Sequence, residues 1–258
     1  MNLHEHAGSE PILGIDIGGT GIKGAPVDMK TGELLKPRHK IHTPEDSTPK
    51  AIFAVIEEMI AHFDWSGKIG CGFPGVIKHG KVLTAANLDG DWVGVNIMEK
   101  MKAFSPDGVA VINDADAAGV AEMRFGAGRA YLEKKGYAVM MVTLGTGIGT
   151  AMFIDGTLVP NLEFGHIEIN GEIAESRSST IAREREGLSW EAWAERLNVY
   201  FAKLERLCSP DVFIIGGGVS AESQMFIPLL NTAADIVVAE LQNDAGIVGA
   251  ALAIHHSV

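Results

Sequence analysis

Apolar positions along the chain change period several times, and each change marks an element. Ile12 to Ile17 is apolar apart from Asp16, and Gly18-Gly19-Thr20-Gly21 is a turn signal. Ile22 to Asp28 continues in strand-like residues, and a second turn at Lys30-Thr31-Gly32 leads to Glu33 to Ile41. The pattern predicts a three-stranded antiparallel meander. Thr48 to Phe63 then reads as a helix with Ile52, Val55, Ile56, Met59 and Ile60 on one stripe. Ile69 to Phe73 is a short strand closed by Pro74-Gly75, Ile97 to Phe104 a helix, and Val109 to Ile112 a buried strand.

The motif then returns. Ala115 to Phe125 reads as a helix, and Ala138 to Leu144 and Gly149 to Ile154 as strands around Gly145-Thr146-Gly147. Asp155-Gly156 is a hairpin turn into Thr157 to Val159. Trp190, Trp193, Leu197, Tyr200, Leu204 and Leu207 recur every three or four residues, which predicts a long helix whose stripe faces the core, with a subunit contact as the alternative. Val212 to Ile215, ending in Gly216-Gly217-Gly218, and Ile236 to Val238 are the last strands, and Ala245 to Ile254 is a helix of small residues. A glycine turn between two strands therefore occurs twice. The expected architecture is α/β, with two related α/β domains and a cleft between them. The smaller domain is expected over 1–113 plus 245–258 and the larger over 114–244.

Composition removes several function classes. The 258 residues are 47% hydrophobic and 21% charged, an ordinary globular balance. No apolar run reaches the ~18 residues that span a bilayer, and the segment Met1 to Pro11 is polar, so no membrane role is expected. Cys71 and Cys208 are the only cysteines, too few for a disulfide framework or a zinc cluster. Together these features predict a cytoplasmic protein. A net charge of -12 argues against nucleic acid as a partner.

The glycine turns carry the candidate chemistry. Gly19-Thr20-Gly21-Ile22-Lys23-Gly24 fits G-x-G-x-x-G, but a dinucleotide site needs a helix there, and the next residues read as a strand. A phosphate cradle fits better. Tight glycine turns present backbone N–H groups with no side chain in the way, Thr20 adds a hydroxyl, and Asp16 can hold a hydrated Mg2+. An ordinary glycine-rich hairpin is the plain alternative. Asn113-Asp114 ends a buried strand, where ligands of α/β sheets collect. Asp114 reads equally well there as the cap of the following helix, and Asp116 competes with it. Glu163-Phe164-Gly165-His166 offers a carboxylate and an imidazole that suit sugar hydroxyls, although taken alone such a pair is more often structural, and Gly217 lies in a turn that could pass under a phosphate chain or simply join strand to helix.

In this order the pieces resemble the ROK family of sugar kinases and repressors, across about Ile12 to Ile254. Asp16-Ile17-Gly18-Gly19-Thr20 is similar to that family's first phosphate motif, Leu144 to Gly149 to its second, Asn113-Asp114 to its catalytic pair, and Glu163 to His166 to its E-x-G-H sugar motif. Most members carry a lysine where this chain has Gly21; the run Gly21 to Asp28, with Arg183-Glu184-Arg185-Glu186 and Asp211 to Ser220, looks like the branch that uses polyphosphate on glucose. The Cys-rich zinc run that many members carry is missing, so no structural zinc is expected. With about eleven residues before the first strand, the DNA-binding domain of the repressors is not expected.

The resemblance implies an actin-like, ribonuclease H-like sugar kinase fold and phosphorylation of the glucose 6-hydroxyl. The donor would be polyphosphate, with ATP or both donors as the alternative, and a sugar sensor without catalysis as the more distant one. Asp114 would be the base. Asn87, Asn113, Glu163, His166 and Glu175 would hold the sugar, with Glu168 and Glu172 competing for the place of Glu175. Gly18, Gly19, Thr20, Gly21, Lys23, Gly145, Thr146, Gly147 and Gly217 would hold phosphates, with Mg2+ reached from Asp16 through water. A homodimer is also implied. A polyanionic donor on a chain of this charge requires a local basic track, for which Lys23, Lys78, Lys81, Arg124, Arg129, Lys134 and Lys135 are candidates or ordinary solvated charges.

Overall fold

The computed structural model describes residues 10–86 and 88–256. Its contacts divide the chain into two units, one running up to Ala121 and resuming at Asp244, the other spanning Glu122–Asn243. The first unit is built on β1 (Ile12–Ile17), β2 (Gly21–Val27), β3 (His39–His42), β4 (Ile69–Phe73) and β5 (Val109–Asn113) in the order β3-β2-β1-β4-β5. β1 to β3 form the antiparallel meander, and β1, β4 and β5 run parallel. The third strand is shorter than its sequence suggests. Leu34 makes only an isolated bridge to Val27, and the strand proper begins at His39, after Pro37, which has no N–H to give a ladder.

Helix α1 (Pro49–Phe63) is capped by Thr48, whose hydroxyl accepts from Ala51 N, and it buries Ile52, Val55, Ile56, Met59 and Phe63. The predicted stripe is present, with Phe63 on it and Ile60 at its margin.

The second unit repeats the plan. Strands β6 (Ala138–Leu144), β7 (Ile148–Ile154), β8 (Thr157–Val159), β9 (Val212–Gly216) and β10 (Asp235–Val238) lie in the order β8-β7-β6-β9-β10. Again three antiparallel strands adjoin a parallel set. Helix α2 (Asp114–Phe125) carries the chain from one unit to the other. Helix α3 (Trp190–Cys208) sends Trp193, Leu197, Tyr200, Phe201 and Leu204 into the core of the second unit, with Phe213, Ile215 and Phe226. The stripe is therefore a core face, and of the residues that predicted it only Leu207 is exposed.

Helix α4 (Ala245–Leu252) belongs to the first unit, and its small residues have a steric reason. A Cβ on Gly70 would lie 1.8 Å from the Ala250 carbonyl oxygen, and one on Gly249 1.7 Å from that of Ala117. The helix packs backbone to backbone on β4 and on α2, which larger residues would prevent. No helix among the described residues is long and apolar enough to cross a membrane.

Candidate active site

In the first unit, the turn between β1 and β2 is closed by Gly18 N donating to Gly21 O at 3.2 Å. Thr43 Oγ1 donates to Gly18 O at 2.5 Å and ties the end of β3 to the same turn. Gly19 and Thr20 are exposed at its tip. The turn leads into a strand, so the G-x-G-x-x-G run does not open a dinucleotide-binding helix.

Asp16 lies just before this turn and is paired in register with Lys23, whose Nζ stands 3.7 Å from Oδ2. The start of α4 covers its other side, where a Cβ on Gly246 would come within 2.7 Å of the Asp16 carboxylate. Burial pushes the Asp16 carboxyl above its ordinary range, and the Lys23 ammonium opposes that shift only in part.

Asn113 and Asp114 divide the work at the end of β5. Asn113, buried, accepts from Asp116 N through its side-chain oxygen at 3.0 Å and donates its amide to Gly75 O at 3.2 Å. The cap of α2 is thus Asn113. Asp114 is the first residue of the helix and half-buried, its Oδ1 accepting from Ala115 N at 2.8 Å. Asp116 is fully buried two residues further on. A Cβ on Gly72 would lie 3.7 Å from Asp16 Oδ1 and 3.8 Å from Asp114 Cα. The two carboxylate residues therefore flank one bare stretch of β4. Neither Gly72 nor Gly246 shows this from sequence, because the role arises only where distant strands and helices meet.

In the second unit, the turn between β6 and β7 is closed by Gly145 N donating to Gly147 O at 3.0 Å. Its other side is held by Thr180 N, which donates to Gly145 O at 3.0 Å. Thr146 is exposed at the tip. Gly217 has φ 85°, where a side chain is strained, and a Cβ there would lie 2.3 Å from Leu144 O. It packs directly behind this turn.

The Glu163–His166 segment is clamped to β7. Thr150 Oγ1 accepts from Phe164 N at 3.1 Å and donates to Leu162 O at 2.7 Å, while a Cβ on Gly165 would meet Ile148 O at 2.1 Å. His166 Nδ1 is 3.7 Å from Glu163 Oε2, and its Nε2 is 3.3 Å from Glu175 Oε1. The other Glu175 oxygen accepts from Ile148 N at 3.0 Å. Glu175 thereby joins the second glycine turn to the E-x-G-H segment. Glu172 instead pairs with Arg177 at 2.5 Å, and Glu168 is exposed on the neighbouring short hairpin. Burial raises the Glu163 carboxyl above its ordinary range; His166 opposes this and Glu175 adds to it.

Asn87 lies outside the described residues. Of the basic residues singled out, Lys23 stands beside Asp16, and Lys134 lies over the rings of Tyr131 and Tyr137 at 4.6 and 4.9 Å. Lys78 and Lys81 face each other across a two-residue turn. No cluster of three His, Cys, Asp or Glu able to cage a metal occurs among the described residues. A single half-buried carboxylate beside a phosphate-type turn does suit Mg2+, which keeps several waters and relies on substrate phosphates for other ligands.

Two sheets of the same strand order, each opening on a glycine hairpin, define an actin-like, ribonuclease H-like α/β fold of the sugar kinase class. The chain belongs to the ROK family, which it matches over residues 12–181. It is 44% identical over 242 residues to the polyphosphate glucokinase of Mycobacterium tuberculosis (strain CDC 1551 / Oshkosh), covering 93% of this chain and 90% of that one. The crystal structure of inorganic polyphosphate/ATP-glucomannokinase from Arthrobacter sp. strain KM superposes with a TM-score of 0.90 at 46% identity, over 96% of this chain and 99% of that one. A ROK family glucokinase from Streptomyces griseus, solved with glucose and AMPPNP, gives a TM-score of 0.81 at 26% identity, over 96% and 100% of the two chains.

Proposed function

We propose that this protein transfers a phosphoryl group from inorganic polyphosphate to the 6-hydroxyl of glucose, with Asp114 as the general base. The observation that carries the reading is the division of labour at the end of β5. Asn113 accepts the capping bond from Asp116 N, and Asp116 is fully buried, so of the two carboxylates Asp114, whose Oδ1 accepts from Ala115 N, is the one partly open to solvent. The reaction needs a carboxylate that accepts a proton while the sugar oxygen attacks phosphorus, and such a base contributes ~10²–10⁴-fold.

Asp114 accepts the 6-hydroxyl proton, O6 forms its bond to the terminal phosphorus, and the bond to the bridging oxygen of the donor breaks. The products are glucose 6-phosphate and a polyphosphate shorter by one unit. Glu163, His166 and Glu175 hold the other hydroxyls, and their mutual contacts fix the orientation of the imidazole. Asn113 is a further sugar contact in this reading, its side chain held in place by its bonds with Asp116 N and Gly75 O. Asn87 is an additional sugar contact in this reading. Gly18, Gly19, Thr20 and Gly21, with Lys23, and Gly145, Thr146, Gly147 and Gly217 shape the phosphate sites; Gly18 N and Gly145 N close the two turns, so the N–H groups at the tips, the Thr20 and Thr146 hydroxyls and the Lys23 ammonium meet phosphate oxygens, and the catalysis is mainly positioning and charge stabilisation. Asp16 would hold Mg2+ through water, and the ion would neutralise charge on the donor phosphates.

Similarity to proteins named polyphosphate glucokinase supports the donor and the sugar. A second reading, use of ATP as well, is favoured by the Arthrobacter structure, named for both donors. A cytoplasmic location and a homodimer accompany the proposal on the family resemblance; sedimentation as a monomer would remove the second. The test of the donor is formation of glucose 6-phosphate from glucose with polyphosphate or with ATP. Polyphosphate is expected to support turnover, and activity with ATP alone would overturn that choice.

A further inference from the structure

The first unit carries a concentration of positive charge that none of the motifs accounts for. Lys36-Pro37-Arg38-His39-Lys40-Ile41-His42 contains three of the chain's 21 lysines and arginines, two histidines, and none of its 33 acidic residues. In a chain of net charge -12 this is a local reversal of sign. The segment ends as β3, an edge strand, so its outer side has no neighbouring strand in the sheet.

The register directs this charge at the first glycine turn. β3 pairs antiparallel with β2, placing His42 opposite Gly21 and Lys40 opposite Lys23. Lys40 does not stand straight out from its strand. Its Cε lies 2.5 Å, and its Nζ 3.5 Å, from the position a Cβ on Gly21 would take. The lysine is therefore laid across Gly21 towards the turn, in space that only glycine leaves open. The neighbouring cations are committed: Lys23 to Asp16 at 3.7 Å and Arg38 to Asp244 at 2.8 Å. Lys40 is exposed and has no ion pair among the described residues. His42 is exposed on the same face of β3 as Lys40, about 7 Å along the strand.

We infer that Lys40, laid across Gly21, is the start of a binding track for a linear polyphosphate chain that leaves the first glycine turn; Arg38 and Lys36, which precede β3 in the same basic segment, join it by exchanging their contacts with Asp244 and with Phe63 O. The inference rests on the polyphosphate reading above. The turn holds the reacting end of the donor by backbone N–H groups, and the ammonium of Lys40 binds oxygens of the units that follow. A repeating polyanion gains from each cation along such an edge. A nucleoside triphosphate, with its charge confined to three phosphates, gains less.

The test is steady-state kinetics of wild type, Lys40→Gln and Lys40→Arg with long-chain polyphosphate, tripolyphosphate and ATP at saturating glucose, and with glucose varied at saturating donor. Loss of one charge-assisted contact at an exposed site predicts about a tenfold rise in KM for long-chain polyphosphate in Lys40→Gln, shrinking as salt is raised. The rise for tripolyphosphate and for ATP should be about threefold or less, KM for glucose should not change, and Lys40→Arg should restore most of the loss. A wild type active with polyphosphate whose Lys40→Gln variant stays within twofold on the long chain would overturn the track and leave the donor assignment standing. An equal loss with long and short donors would also overturn it. A wild type that turns over ATP and not polyphosphate would overturn the donor assignment and the track together.

Discussion

Gly165 offers a sharp test of how the sugar-binding segment is held. A methyl group at this position would sit 2.1 Å from Ile148 O, where contacts of 3.4–4 Å are ordinary. The Glu163–His166 segment must therefore move off β7 by about 1 Å. It cannot do so freely, because Phe164 N and Leu162 O are both bonded to Thr150 Oγ1, and Glu175 spans from Ile148 N to His166. Overpacking of this kind costs ~1–3 kcal/mol of stability. A displacement of about 1 Å of positioning groups costs ~10²-fold in rate, equivalent to about 2.7 kcal/mol at the transition state. Gly165→Ala should thus lower kcat/KM for glucose by ~10²-fold, with the KM for the phosphoryl donor nearly unchanged. The assay is coupled detection of glucose 6-phosphate with glucose varied, alongside thermal melting to show a folded variant. A folded Gly165→Ala protein within about twofold of wild-type kcat/KM would refute the clamp, because the required shift would then be catalytically silent.

Two further perturbations probe a half-buried and a fully buried carboxylate. Asp16 has a folded-state pKa raised above its ordinary 3.8, chiefly by burial, so its ionisation weakens the fold as pH rises from the unfolded pKa through the folded one. Asp16→Asn should therefore gain stability relative to wild type as pH climbs through that acid interval and hold the gain at neutrality; a gap in melting temperature that is constant with pH, or shrinks, would contradict this. Glu122, fully buried, accepts from Ala127 N and Glu240 N at 3.0 Å on one oxygen and from Leu241 N at 2.7 Å on the other. Glu122→Gln turns one end into a donor facing donors, and urea denaturation should show a loss of about 2–4 kcal/mol; a change below about 0.5 kcal/mol would show that these bonds are dispensable.

The repeated plan of the fold was legible because it is local: each glycine turn is flanked by strands of apolar, short side chains, and the stripe of α3 has a clear helical period. The limits of β3 were less legible, since Leu34 and Pro37 interrupt an apparently continuous run. At the site, sequence left Asp114 balanced between cap and base. Asn113 and Asp114 are both competent caps, and only the observed bond from Asp116 N to Asn113 assigns that task. Glu175 could not be separated from Glu168 and Glu172 by spacing, because the short hairpin of residues 168–173 reverses the chain and removes any simple period. Lys40 was missed altogether. Its approach to Gly21 is a consequence of cross-strand register, which leaves no trace in either local sequence. Glu122 was hidden for a related reason, as two of its three partners lie more than a hundred residues away.

The central claim is that Asp114 removes the proton from the sugar hydroxyl, and the most direct measurement pairs turnover with glucose binding in Asp114→Asn. Glucose binding, read by calorimetry, should stay within about threefold of wild type, while kcat with polyphosphate falls by ~10²–10⁴-fold. An Asp114→Asn enzyme that binds glucose and retains wild-type kcat would contradict the account and place the base elsewhere.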